Sequence, residues 1–567
     1  PMGQSRSYSS VILKTEGGQG LGGSIGSQKQ DGQPGGTIRV DVGGQLTLDG
    51  SQKTGLEASS IGANSDEGVN PFNFSAAPSS GGPITYQQTG TVIRTGGSEP
   101  SGFAIDLTSR SGNWQGYTSS VFSWQGYTNK DLSRPAQELR GAVPGEISVK
   151  LEQGAKLTSD VSGIHAASYG GAIAPVWGEK DSIDNALKFQ SGSRGQSAPN
   201  AGDITIFMDR ASVETVGVAV SALSQGAGMG NYTNRPGGAG VLFNLDTVDT
   251  NRPGGAGGYI SLTLERSSIQ TSGNYAHGIM AQSLGGSVSE AQAHNGVFVG
   301  DDGAPGGRGG PAVLTMSPGS SVTTEGTSAF GVFLQSSGAG GGAAGGGLFV
   351  GGTGGDAGSG VITQSVLMGS IVTTGDGAYG LFAGGIGGGR MQVSSDITKG
   401  IEQVNDGAGQ GGNAINILPF VSISKGGAGG LGGAGPVVDI DQLGLVSTQG
   451  DYATGVFANS VGGNGGDGGI SVSAAVGIPI PIPYTNLTVS PAFSLAIGGA
   501  GGSGGNGGEI NFTSYDQSNT FQKTPGLIST PRVSTAGTNS PAVRLISTGG
   551  GGGAGGNAFS VAGSVPA

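Results

Sequence analysis

The chain contains no cysteine among its 567 residues. That excludes disulfides and thiolate metal sites. It also suits a chain exported unfolded through an oxidising compartment, where a stray disulfide would block passage. Charge is sparse. Asp, Glu, Lys and Arg make up 11% of residues, the formal net charge is −12 and the pI is about 4.7. No basic run occurs, so nucleic acid is not an expected partner. Aromatic residues reach only 6%, and helical periodicity is nearly absent. No apolar run has the length of a membrane span. The opening PMGQSRSYSS has neither the basic nor the apolar region of a secretory leader. Any export signal is therefore expected to have been removed or to lie outside this segment.

Glycine is abundant, at 122 residues. Such a content often marks disorder. Apolar residues nevertheless reach 34%, so the glycine is expected to be ordered and to have a backbone role. The length exceeds one ordinary core. One elongated repeat body is expected rather than several globules.

A frame recurs. It reads TSGNYAHGIMAQSLGG at 271–286, TEGTSAFGVFLQSSGAGG at 324–341, TGDGAYGLFAGGIGGG at 374–389 and TQGDYATGVFANSVGG at 448–463. The aliphatic residues after the inner glycine, Ile279, Val332, Leu381 and Val456, serve as anchors and lie 53, 49 and 75 residues apart. Ile164 and Val218 are weaker anchors. Periods of this size signal a solenoid. Upstream of each anchor stands a short β-branched piece (SSIQTSG, SSVTTEG, GSIVTTG, GLVSTQG). Before that comes a segment alternating with period two, such as YISLTLER at 259–266 or PVVDIDQLG at 436–444. Both patterns read as strands. The predicted fold is all-β: a parallel β-solenoid, or β-helix, with divergent modules over 1–255 and regular glycine-rich repeats over 256–567.

Gly278, Gly331, Gly380 and Gly455 precede the anchors and are expected at sharp corners where a side chain would clash. Met280, Phe333, Phe382 and Phe457 follow the anchors and are expected to form a ladder on the opposite face. That face needs a cover, expected from the glycine tracts or from a neighbouring chain. The tracts themselves, GGAGGLGGAG (426–435), GGNGGDGG (462–469) and GGAGGSGGNGGE (498–509), repeat as GGX. Period three suits an extended helix of polyproline II type. The tracts are expected to pack side by side along the solenoid, bonded backbone to backbone, with Leu431 pointing into the packed layer. The apolar pieces that they bracket, such as INILPFVSIS (415–424), are expected to fold back onto the solenoid.

The frame GDxAxGxxAxSxGGxGG, clearest over 256–567 and looser over 1–255, resembles the glycine-rich repeats of large bacterial autotransporter passengers and related surface adhesins. The resemblance implies a parallel β-helix, export across a Gram-negative outer membrane and display outside the cell. The final residues GGNAFSVAGSVPA contain no translocator barrel, so the segment is expected to be passenger alone.

Residues with chemical potential are few. There are three histidines, His165, His277 and His294. His277 shares its repeat position with Phe330, Tyr379 and Thr454, which suggests a surface or corner residue. Asp439 and Asp441 fall on one strand face about 6.6 Å apart, a separation seen between inverting glycosidase carboxylates. The preferred reading is a solvated pair flanking an inward Ile440. GxSxG occurs around Ser24 and Ser503 without the strand-to-helix elbow a nucleophile needs. GGTGGDAGS (351–359) and GGNGGDGGI (462–470) are similar to a calcium nonapeptide but place Gly358 and Gly469 at its hydrophobic position. No P-loop, CxxC or HExxH occurs. No catalytic, cofactor or metal site is expected.

The expected function is an extracellular structural one: a segment of a bacterial surface adhesin or fibre, active in attachment or in cell–cell and biofilm contacts. The alternative is a polysaccharide-binding or polysaccharide-cleaving β-helix, which would need a charged cleft. SSVILKTEGG (9–18) aligns with SPAVRLISTGGGGG (540–553), placing Val11 on Val543 and Leu13 on Leu545. Self-association or continuation into a longer fibre is expected, with surface glycans or neighbouring cells as further partners.

Overall fold

A computed structural model describes residues 33–49, 54–63, 79–95, 102–112, 142–171, 198–228, 254–288, 299–300, 302–481, 488–514 and 533–564. It also describes the short strands at 6–8, 11–16, 23–24, 73–74, 120–121 and 190–191. No helix occurs among these residues.

One coil shows the plan. Ile260–Glu265 is a leading strand, Ser268–Thr271 a middle strand and Ile279–Leu284 a trailing strand. Alternation puts Ile260, Leu262 and Leu264 inward, and the intervening Ser261, Thr263 and Glu265 are only partly covered. Each strand pairs in parallel with its counterpart in the coils before and after. Leading strands thus form a nine-stranded sheet, and middle and trailing strands form two ten-stranded sheets. The protein is a parallel β-solenoid, and all three sheets run without a break through residue 255. Ten coils at about 4.8 Å each give a rod roughly 45 Å long.

The core is a set of columns rather than a centre. The leading column runs Ile84, Ile147, Ile204, Ile260. The middle column runs Leu157, Val213, Ile269, Val322, Ile371, Val446. All of these are buried. The anchor column passes through Ile164, Val220, Ile279, Val332, Leu381 and Val456. The anchor of the Val218 coil is therefore Val220, two residues later: the strand begins at Val220, and a shift of two keeps the same residues inward.

The glycine tracts form a second body along the rod. Among the described residues, the later coils send one tract out after the trailing strand and one back before the next leading strand. Returning tracts stack in parallel on returning tracts: the N–H groups of Gly429, Gly432 and Gly435 donate to Ala500, Ser503 and Asn506. Outgoing tracts do the same, with Gly465 and Gly468 donating to Gly551 and Ala554. Outgoing and returning tracts bond antiparallel: Gly463, Gly466 and Gly469 donate to Gly433, Gly430 and Gly427. Each triplet thus uses its two glycines against two different neighbours. An added Cβ at Gly429, Gly430, Gly432 or Gly433 would overlap a carbonyl oxygen of a facing tract. The third residue is left to face out. Leu431 is accordingly 52% exposed; it does not point into the layer, because glycine alone fits there.

Among the described residues of the later coils, two excursions leave the bundle. Gly389–Val393 and Ile401–Asn405 form an antiparallel hairpin. Farther out, Ala414–Pro419, Ser471–Gly477 and Ala558–Ser564 make a three-stranded parallel sheet facing the pair Val421–Lys425 and Phe493–Ile497. These five strands form a side module of their own and do not lie back on the solenoid core.

Candidate functional site

Among the described residues, the outer face of the trailing sheet carries a hydrophobic cluster separate from the solenoid interior. Met280, Phe333, Phe382 and Phe457 stand in one column on four successive coils. The rings of Phe333 and Phe382 stack with centroids 4.8 Å apart, and Phe382 meets Phe457 edge-on at 5.6 Å. The guanidinium of Arg544, next in the column, lies 5.0 Å from the Phe457 centroid, a cation–π contact. Phe330 and Tyr379 form a second stack beside it, at 4.7 Å. The cover is the chain's own hairpin. Met391 is buried in this cluster, and Val393 and Ile401 pack against it. Neither the glycine tracts nor a neighbouring chain is needed. Among the described residues this hairpin occurs once, in the coil of Leu381, so no repeat pattern announces it.

His277 continues the Phe330–Tyr379 line by one coil. It is buried, not at the surface. Its Nδ1 accepts the N–H of Phe330 at 3.1 Å, so the ring is a neutral acceptor. Burial lowers its pKa to about 4. The unfolded chain, with an ordinary value near 6.5, binds the proton first. The stabilisation is therefore complete above about pH 6.5 and is lost as pH falls through the folded value near 4. The gap corresponds to roughly 3 kcal/mol. Thermal unfolding of the wild type is expected to drop between pH 7 and pH 4. In His277→Phe the drop should shrink, and an unchanged pH dependence would remove His277 from the explanation.

The corner glycines are required by space, not by backbone dihedral. A Cβ on Gly278, Gly331, Gly380 or Gly455 would collide with the β-branched residue of the next coil's middle strand: Val322, Ile371, Val446 and Val533 in turn. The left-handed position lies three residues earlier. Tyr275, Ser328, Gly377, Tyr452 and Asn539 all have φ between 53° and 64°. Each such turn is tied by a threonine. Thr271, Thr324, Thr373 and Thr448 donate to the carbonyls of Ala276, Ala329, Ala378 and Ala453 at 2.6–2.7 Å. All four threonines are buried. Thr373→Val keeps the shape, removes the donor and strands the Ala378 carbonyl. It should cost roughly 1–3 kcal/mol. A denaturant midpoint equal to wild type would show that the tie contributes nothing.

Sequence reading missed a second polar ladder. Ser60, Ser109, Ser168, Ser224, Ser283 and Ser336 occupy one inward column of the trailing sheet. Ser224 Oγ donates to the Gly202 carbonyl and accepts from Gly258 N–H. Ser283 repeats this with Gly258 and Gly310, and Ser460 with Pro436 and Gly508. Ser224, Ser283 and Ser460 each clamp two successive returning tracts where they turn into leading strands. The signal was present as the serine of AQS, LQS and ANS. The acidic and amide residues of the GGX tracts have a similar duty. Asp356 accepts from Leu431 N–H, Asn464 from Gly551 N–H and Asp467 from Ala554 N–H, at 2.7–2.9 Å. The carboxylates of both nonapeptide-like segments are thus engaged by backbone. No cluster of three or more metal-ligating side chains occurs among the described residues.

Toward the first coils the outward column turns polar: Asp106, His165 and Ser221 lie on successive coils. His165 Nδ1 is 3.2 Å from Ser221 Oγ, and its ring stacks on Phe103 at 4.7 Å. Burial pushes the His165 pKa down and the Asp106 carboxyl up, each opposed by attraction to the other. Ser221 sits inside a ladder paired on both sides, which occupies the backbone donors that an oxyanion would need. The remaining candidates are scattered. Asp439 and Asp441 face outward around buried Ile440, and Asp439 accepts from Asn511 at 2.9 Å. Ser503 sits in a returning tract, its carbonyl bonded by Gly432. Ser24 lies in a two-residue strand paired antiparallel with Asn73–Phe74. His294 lies outside the described residues.

Neither a family model, a curated protein nor a solved structure matches the chain. No helix among the described residues is long and apolar enough to cross a membrane.

Proposed function

We propose that this protein is an extracellular structural element, a segment of a Gram-negative surface adhesin or fibre that mediates attachment or cell–cell contacts. One observation carries the reading. Its polar side chains are spent on internal locks: the threonine ties hold each turn within its coil, and the serine clamps and the Asp and Asn bridges bind backbone of successive coils. That arrangement favours a stiff rod that holds distance. Growth along the axis fits the same geometry. In the coil of Val543, the interior columns present half-exposed Val543 and Leu545. A coil of the same kind from a second copy would cover them.

Beads coated with the protein should capture Gram-negative cells more than beads coated with an unrelated acidic protein. The same preparation should leave acidic and neutral polysaccharides uncut. Reproducible release of reducing ends would overturn the structural reading in favour of a polysaccharide-cleaving β-helix, and cell capture equal to the control would overturn attachment.

A further inference from the structure

The side module has its polarity reversed. Between its two sheets lie Ser422, Ser424, Ser471 and Ser473, all buried. Their hydroxyls bond across the gap: Ser424 to Ser471 at 2.7 Å and Ser473 to Ser422 at 2.8 Å. Ser560 reaches Ser494 at 2.9 Å. Asn416, buried with them, donates to the Ile423 carbonyl. Alternation then forces the apolar residues outward. One outer face carries Ile415, Ile417, Phe559 and Val561; the other carries Val421, Ile423, Phe493, Leu495 and Ile497. Ile417 is 67% and Val561 64% exposed. Solenoid strands with the same alternation bury their apolar side, so the reversal is not a consequence of strand geometry.

We propose that these two faces dock a second copy of this chain side by side. Each face exposes on the order of 450 Å² of Ile, Val, Leu and Phe, a patch in the range that marks interaction sites and over half of what one partner brings to a standard interface. Charge selects the occupant. The strands of the module and their connections over 414–425, 470–481, 488–497 and 558–564 contain one charged residue, Lys425, in a chain of net charge −12. Here two acidic copies approach without like-charge repulsion. A bilayer fits less well. Among the described residues, Ala558–Ser564 and Phe493–Ile497 each pair on one side only, and an open sheet edge is not tolerated in hydrocarbon. Flat sheet faces instead pack on one another about 10 Å apart. Because the two faces look in opposite directions, each copy joins two neighbours, and the product is a lateral array rather than a closed pair. The inference concerns a different surface from the coil ends and stands whether or not the attachment reading holds.

The test is sedimentation velocity over a concentration series. Wild type is expected to associate. Ile417→Lys with Val561→Lys, and Val421→Lys with Leu495→Lys, should each weaken association about tenfold or more, while Leu545→Lys at the coil end leaves lateral association in place. Unchanged association in both double variants overturns the proposal. Because the chain lacks cysteine, Ile417→Cys provides a second readout that tolerates modest destabilisation. A short bis-maleimide should link two copies through it but not through Lys150→Cys on the solenoid wall. Equal linking at both positions counts against the proposal. Co-flotation of the wild type with neutral phosphatidylcholine vesicles, abolished by the same double variants, would overturn it in favour of lipid.

Discussion

Valine at Gly429 and Gly432 is expected to open the glycine body while leaving the solenoid sheets formed. Each of these glycines places its Cα against a carbonyl of the outgoing tract, Gly466 for Gly429 and Gly463 for Gly432. Their N–H groups bond to Ala500 and Ser503 on the other side. A side chain cannot enter without separating the two tracts, and separation breaks bonds along both. Overpacking alone costs about 1–3 kcal/mol per site; the stranded backbone groups add roughly 1–3 kcal/mol each. Hydrogen exchange should accelerate across 426–435 and 462–469, with slow exchange kept in Leu381–Ile386. Neighbouring glycines give an internal control. A Cβ at Gly553 would overlap the Gly466 carbonyl, whereas at Gly552 the nearest atom is 3.6 Å away. Gly553→Ala should destabilise clearly, and Gly552→Ala should stay within about 0.5 kcal/mol. Fast exchange across 426–435 in the wild type would show that the tract is a linker, and the packing account would fail.

Phe382→Asp is expected to be the most damaging single substitution. Phe382 is 0% exposed, stacked on Phe333, edge-on to Phe457 and roofed by the hairpin. Loss of the ring alone costs about 3–5 kcal/mol, and an unpaired carboxylate in that position adds desolvation of several kcal/mol. The hairpin should detach, so protease cleavage within 394–400 should appear in the variant before the solenoid melts. Phe382→Leu separates the terms: it keeps an apolar body and should lose less than half as much. A stable Phe382→Asp with an intact hairpin would mean that the ladder contributes little.

What could be read from sequence follows from what repeats. Period-two alternation marked the leading strands, and the anchors marked the trailing column, because each side chain meets its own counterpart one coil away. The shared offset of Phe333, Phe382 and Phe457 showed in the same way. Features that occur once left no trace of this kind. Among the described residues the hairpin over the ladder has no counterpart in other coils, so the repeat points to the glycine tracts or a neighbouring chain rather than to the hairpin as the roof. Leu431 was misplaced for a different reason: in a GGX tract the apolar residue looks like the one to bury, yet the two glycines take the two contact directions and leave the third position outside. The varied repeat position of His277 reads as a surface site, but His277, Phe330 and Tyr379 there each carry a flat ring, and the fourth residue, Thr454, is buried as well. The side module inverted the usual inference, since its serines rather than its isoleucines fill the interior.

The spacing of paired anchors has a consequence for heredity. Val332 follows Ile279 by 53 residues and Val543 follows Val456 by 87, yet both pairs are in register. Part of the additional length leaves through the glycine tracts and returns at the same corner, and part falls between the leading strand Ile510–Ser514 and the middle strand Val533–Thr535. A gene built this way tolerates duplication or loss of a whole coil, because every column closes again on whichever coil comes next. Unequal recombination between its glycine-rich stretches would change the length of the rod without redrawing its cross-section, and variants of one lineage would differ in reach before they differed in shape.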